Sequence, residues 1–164
     1  MKVGILADSH DHLQALRAAA RTMLTAGVEH ILWAGDFVAP FALPPIHAVG
    51  VPVTGVFGNN DGERNYLAKR FADYGWELQP KFAFPVLGTV RFAMHHEPEP
   101  VEALAQSGLY DVVVYGHTHE LVVRRAADAL VINPGETCGW LTGAPSCVIL
   151  ELETLEPTVV NLTF

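Results

Sequence analysis

Apolar residues in this chain come in short runs, and most runs end in a polar cluster. Residues 2–7 read as a buried strand. Residues 11–24 read as a helix with Leu13, Leu16, Ala20 and Leu24 on one face, and Gly27 lies just beyond it. Residues 31–34 and 52–57 read as two more strands. Pro40, Pro44 and Pro45 make the helix between them short or irregular. A further helix spans 63–74. This βαβαβ order predicts a parallel sheet with right-handed crossovers. In the second half, strands at 82–87 and 90–94 flank Gly88-Thr89 as a hairpin. A helix over 100–106 follows. Strands then crowd together at 112–115, 121–124, 130–132, 146–152 and 158–162. The expected fold class is an α/β sandwich: two packed mixed β-sheets flanked by helices, with residues 1–164 forming a single domain.

Composition narrows the function. The chain has 164 residues, half of them hydrophobic, and a mean hydropathy of +0.24, so it is not disordered. Ten Lys and Arg against 18 Asp and Glu leave a net charge of −8. That balance argues against nucleic acid or an anionic membrane as partner. No Lys or Arg follows Arg125. If the protein handles phosphate, the positive charge must come from something bound, such as metal. No apolar run reaches the roughly 18–20 residues of a membrane span. The N-terminal segment reads as a first strand and not a signal peptide. Cys138 and Cys147 form no CxxC motif and read as buried thiols of a cytoplasmic chain. Homo-oligomerisation stays open.

The candidate chemistry lies at strand ends. Asp8-Ser9-His10 closes the first strand, Gly35-Asp36 the second and Gly58-Asn59-Asn60-Asp61 the third. His95-His96 closes the hairpin, and Gly116-His117-Thr118-His119 follows 112–115. Ligands of open α/β sheets gather at the carboxyl ends of strands. The pattern therefore predicts two Asp, one Asn and several His converging on one rim. Carboxylate, amide oxygen and imidazole suit Mn²⁺, Fe²⁺, Co²⁺, Ni²⁺ or Zn²⁺. Seven candidates exceed one tetrahedral ion and suit two ions sharing a carboxylate. Each motif alone is ordinary turn chemistry; their order, each after an apolar run, carries the signal.

Taken in order, DSH, GD, GNND, HH and GHTH resemble the calcineurin-like metallophosphoesterase family, closest to its small single-domain YfcE-like phosphodiesterases. Asn133-Pro134-Gly135 is similar to that family's NPG turn. The resemblance implies hydrolysis of a small phosphodiester through a hydroxide activated by two divalent metals, manganese first among them. A phosphatase acting on monoesters or phosphoproteins, or a non-catalytic scaffold of the same fold, is the alternative. It implies one metal on Asp8, His10, Asp36 and His119, and a second on Asp36, Asn59, His95 and His117. Asp36 would bridge. Two positions depart from the family pattern. Asn60 stands where many relatives place a histidine that helps protonate the leaving group, which leaves His96 and His12 as candidate acids. Glu97, not glycine, follows the pair His95-His96; His95 is taken as the ligand because it directly follows the strand, with His96 as the alternative. Asp61 is expected to orient a ligand or cap the following helix. Arg64 reads as a surface charge, and Trp33, Trp76 and Trp140 as packing residues.

Overall fold

The computed structural model describes residues 1–164 as two β-sheets packed face to face with helices on both outer sides. The first sheet has the order β11-β10-β1-β2-β3-β4. Its parallel centre is β1 (Lys2–Leu6), β2 (His30–Trp33), β3 (Val53–Val56) and β4 (Glu77–Gln79). Antiparallel β10 (Ser146–Glu151) and β11 (Glu156–Asn161) complete it. The second sheet has the order β5-β6-β7-β9-β8. It contains β5 (Val86–Leu87), β6 (Val90–Met94), β7 (Val112–Val114), β8 (Leu121–Ala126) and β9 (Ala129–Pro134), with β6, β7 and β9 mutually parallel.

Side-chain alternation sorts the strands into three apolar layers. Val3, Ile5, Leu32, Val56, Phe92, Met94, Val112 and Val114 meet between the sheets. Leu6, Ile31, Trp33 and Val53 face α1 (Leu13–Ala26), α2 (Leu43–His47) and α3 (Arg64–Asp73). Ala93, Val113 and Val131 face α4 (Val101–Gln106). Both central strands of the first sheet are therefore covered on two faces, which explains their unbroken apolar runs.

Three details differ from expectation, and the proline-interrupted helix is short as expected. β4 carries only one apolar residue in three, Leu78, and gives no periodic signal. The hairpin's first strand is two residues long because Pro85 interrupts it; Ala83 pairs with Met94 only as an isolated bridge. The buried stripe of α1 runs through Leu16, Ala19, Ala20 and Met23, and Leu24 turns outward. The prolines leave a single 3₁₀ turn, Pro40–Ala42, before a five-residue α2. Truncating Leu32, fully buried between the sheets, is expected to cost about 2–5 kcal/mol. Truncating Val159 on the open face of β11 should cost under about 1 kcal/mol. Urea denaturation of Leu32→Ala and Val159→Ala checks this ranking.

Candidate metal centre

The carboxyl ends of β1, β2, β3, β6, β7 and β9 open onto one rim, and their loops are laced together by backbone bonds. The Asp36 carbonyl accepts N–H bonds from Ser9 (3.2 Å) and His10 (3.1 Å). Asp8 N–H donates to the Gly35 carbonyl at 3.2 Å, and Gly116 N–H to the His96 carbonyl at 3.0 Å. Thr137 and Cys138 N–H groups bind the carbonyls of Ala7 (2.9 Å) and Asp8 (3.1 Å). Five of the predicted residues adopt left-handed backbone: Asp8 (φ 51°), His10 (φ 40°), Asp36 (φ 55°), His117 (φ 67°) and His119 (φ 60°). Such a conformation costs a non-glycine residue on the order of 1 kcal/mol or more and persists only where neighbours enforce it. Here it turns each side chain off the strand direction and into the rim. Gly58 is required for a different reason: a Cβ there would collide with the Asp36 carboxylate and backbone nitrogen.

Asp8, His10 and His119 bring their ligand atoms within 4.8 Å of one another, and so do Asp8, Asp36 and His96. His10 Nε2 lies 3.3 Å from His119 Nε2 and 3.5 Å from Asp36 Oδ2. His117 Nδ1 reaches Asn59 Oδ1 at 2.8 Å. Asp8, His10, Asp36, Asn59, His117 and His119 thus share one cluster with His96.

The structure places His95, the expected ligand, outside this cluster. Its Nδ1 meets the Glu97 carbonyl at 2.9 Å, its Nε2 the Glu97 carboxylate at 3.3 Å, and its ring stacks on Phe82 at 4.3 Å. The cause is strand parity. Phe92 and Met94 point between the sheets, and His96 continues that series into the rim. His95 follows Ala93 to the other face. His96 is fully buried, donates through Nδ1 to the Ala34 carbonyl at 2.7 Å, and aims Nε2 at Asn59 Oδ1 (3.0 Å) and Asp36 Oδ2 (3.5 Å).

That last arrangement tests whether a cation fits. With its Nδ1 proton given to Ala34, neutral His96 presents a lone pair to two oxygens that also present lone pairs. His119 repeats the pattern: Nδ1 donates to Glu136 at 2.7 Å, and Nε2 faces Asp8 Oδ1 at 3.7 Å. Acceptors converging on acceptors need a positive charge among them. Without metal, protons supply it. Burial opposes charge on His96, yet Asp36 holds it up at about 9. Burial also opposes ionisation of Asp36, but His96 and two bonds from Asn60 bring it down to about 2. Asp8 is pushed up to about 7 by burial, against the pull of His96 and His119. A divalent ion bound by carboxylate, amide oxygen and imidazole would replace those protons; Cys138 lies beside His119 and Glu136 but directs its thiol at the Glu136 carboxylate, at 3.3 Å.

The surrounding residues hold the donors in place. Asp61 accepts N–H bonds from Gly58 (2.7 Å), Val38 (2.7 Å) and Asp36 (3.2 Å), joining two loops. It makes no cap for α3, whose N-cap is Glu63 without a side-chain bond. Burial still pushes Asp61 up to about 6 against those bonds. Asn60 binds Asp36 through its backbone N–H (2.8 Å) and side-chain amide (2.7 Å). Arg64 is neither free nor aimed at the cluster; it donates to the carbonyls of Asp61 (3.1 Å) and Gly58 (3.0 Å). Sequence reasoning missed Glu136. It is fully buried at the end of β9 and accepts bonds from His119, Leu141 and Thr142. Its position just after Asn133-Pro134-Gly135 was the available signal, since β9 parallels β7 and ends on the same rim. Trp33 and Trp76 are buried as expected, but Trp140 is 61% exposed beside the cluster.

Burial resists the charge on Glu136, but bonds from Thr142, His119 and Leu141 outweigh it and hold the carboxyl at about 2, below its ordinary 4.5. A lowered folded-state value adds stability above about pH 4.5 that is lost as pH falls toward 2. The metal-free protein should lose up to about 3 kcal/mol more across that window than Glu136→Gln does. Urea denaturation at stepped pH measures the difference.

The chain matches the model of the calcineurin-like phosphoesterase superfamily domain over residues 1–155. It is 41% identical over 160 residues to phosphodiesterase MJ0936 of Methanocaldococcus jannaschii, covering 95% of this chain and 96% of that protein. A solved archaeal phosphodiesterase superimposes with a TM-score of 0.94 at 38% identity, over 99% of this chain and 100% of the other. The E. coli phosphoesterase YfcE shares the fold at a TM-score of 0.70 and 19% identity, with 99% and 100% covered.

Proposed function

Because the chain belongs to the calcineurin-like phosphoesterase superfamily, we propose that its rim is a dinuclear metal centre that hydrolyses a small phosphodiester. The observation that carries this reading is the convergence of the His10, His96 and His119 imidazole nitrogens on the Asp8 and Asp36 carboxylates. One ion is assigned to Asp8, His10, Asp36 and His119. The second is assigned to Asp36, Asn59, His96 and His117, with Asp36 shared. When bound, such ions lower the pKa of water to give a hydroxide nucleophile and draw charge from the phosphoryl oxygens. Manganese is the ion proposed first, for the oxygen donors; the imidazoles equally suit Fe²⁺, Ni²⁺ or Zn²⁺. The two free, buried thiols agree with a reducing, cytoplasmic setting. The whole of 1–164 acts as one domain, because all six rim loops needed for the site come from sheets packed on one another.

The remaining residues have positioning roles. Asp61 and Asn60 fix Asp36, and Glu136 fixes the tautomer and tilt of His119. Asn60 cannot supply a proton at neutral pH, and His96 is committed to the donor set. His12 ties Nδ1 to the Cys138 carbonyl at 2.8 Å. With no imidazole standing free beside the cluster, hydrolysis should favour esters of acidic alcohols that leave unprotonated.

The decisive experiment strips the protein with EDTA and follows bis-p-nitrophenyl phosphate and p-nitrophenyl phosphate as Mn²⁺, Ni²⁺, Zn²⁺ or Mg²⁺ is restored. Metal-restored turnover with the diester faster is expected. Faster monoester turnover would make the protein a phosphatase, and no turnover with metal bound would leave a scaffold. A second measurement separates the adjacent histidines. His96→Ala should lose close to one equivalent of metal by elemental analysis and at least about 100-fold in diester activity, while His95→Ala should retain both. Asp36→Asn should weaken both ions together.

A further inference from the structure

The loop that follows Glu136 carries an exposed apolar pair, Trp140 and Leu141, 61% and 76% exposed, in a chain whose other two tryptophans are buried. The loop is anchored at both ends to the metal centre. Cys138 N–H donates to the Asp8 carbonyl at 3.1 Å. Leu141 N–H donates to the Glu136 carboxylate that also holds His119, at 3.0 Å. Gly143 N–H closes the turn onto the Gly139 carbonyl at 3.2 Å. Trp140 is therefore exposed without being loose. Its indole lies nearly parallel to the His10 ring (centroids 6.4 Å apart, 27°), and His10 is stacked on His119 (5.1 Å, 24°). His12, edge-on to Phe164 at 4.8 Å, leans on the indole at 5.5 Å. The result is a ladder of rings that starts at two donors of the cluster and ends in an indole open to solvent.

We propose that Trp140 is a specificity-determining platform, on which a flat aromatic or heteroaromatic substituent of the phosphoester stacks while its phosphoryl group lies at the metal centre. This rests on the phosphodiesterase reading above. A fixed indole suits that role, because it offers a large flat apolar face with little side-chain entropy left to lose on binding. The preceding Gly139, at φ +70° with a Cβ position only 2.7 Å from Pro145, is a place in this turn where a larger residue would be strained and would collide. A flat ring is favoured over an aliphatic chain because the ladder already runs with near-parallel planes.

The test uses two non-hydrolysable probes with the same head group, benzylphosphonate and methylphosphonate. Binding to the Mn²⁺-loaded protein is measured by calorimetry. Wild type should prefer benzylphosphonate by about tenfold, the lower end of ring-stacking effects seen on truncation of an aromatic platform. Trp140→Ala should reduce the preference to about twofold or less, and Trp140→Phe should keep most of it. Methylphosphonate should bind wild type and Trp140→Ala alike. Methylphosphonate binding with no ring preference in wild type, or a preference that survives Trp140→Ala, overturns the platform and leaves the phosphodiesterase reading intact. Failure of both phosphonates to bind the metal-loaded wild type overturns both.

Discussion

Four carboxylates, Asp8, Asp36, Asp61 and Glu136, lie at most 3% exposed around one rim, and no lysine or arginine is paired with any of them. Burying an unpaired carboxylate costs several kcal/mol per ion. The structure meets that cost in two ways. Asp61 and Glu136 are satisfied by N–H and O–H donors and act as braces. Asp8 and Asp36 also take N–H bonds, yet each keeps an oxygen directed at imidazole nitrogens of the cluster. That residual negative field is what the proposed divalent pair would answer. The nearest guanidinium, on Arg64, spends its donors on loop carbonyls instead, so the positive charge is left to a cation from outside the chain.

Holding those groups together requires backbone that the residues would not choose. Asp8, His10, Asp36, His117 and His119 all have positive φ, and relaxation of any one would swing its side chain out of the cluster. The enforcement comes from elsewhere in the fold. Parallel pairing of β1 with β2 sets Leu6 opposite Trp33, which brings the two loops into register for the bonds to the Asp36 carbonyl. The inter-sheet layer then fixes β6 and β7 against β1 and β2. Strain at the site is thus sustained by packing between the sheets, a usual division between rigid scaffold and strained functional loop.

The legible parts of the sequence were those governed by local periodicity. Apolar runs located the central strands, and a polar cluster after each run located the rim. Alternation also tells which of His95 and His96 faces the rim: counting by twos from Phe92 and Met94 reaches His96, whereas adjacency to the strand end points to its neighbour. What stayed hidden depended on tertiary neighbours. β4 is a strand because β3 offers an open edge, not because Glu77-Leu78-Gln79 alternates. Glu136 became visible only once β9 was known to run parallel to β7, since direction within a sheet leaves no mark on the residues themselves. Trp140 was read as packing because large aromatics usually are; its exposure follows from a loop anchored to Glu136.

Glu136 also joins two things that a list of ligands would separate. The same carboxylate receives the His119 Nδ1 proton and the Leu141 N–H, so the orientation of a metal donor and the placement of the Trp140 loop share one anchor. With Nε2 drawn on by a bound ion, His119 Nδ1–H would be a stronger donor to Glu136. That in turn would steady the carboxylate on which the loop hangs. By thermodynamic reciprocity, a substrate ring that held the loop would favour the same His119 geometry and hence the ion. On the proposed assignments, metal occupancy and recognition of the ester's substituent would therefore be coupled through a single buried side chain.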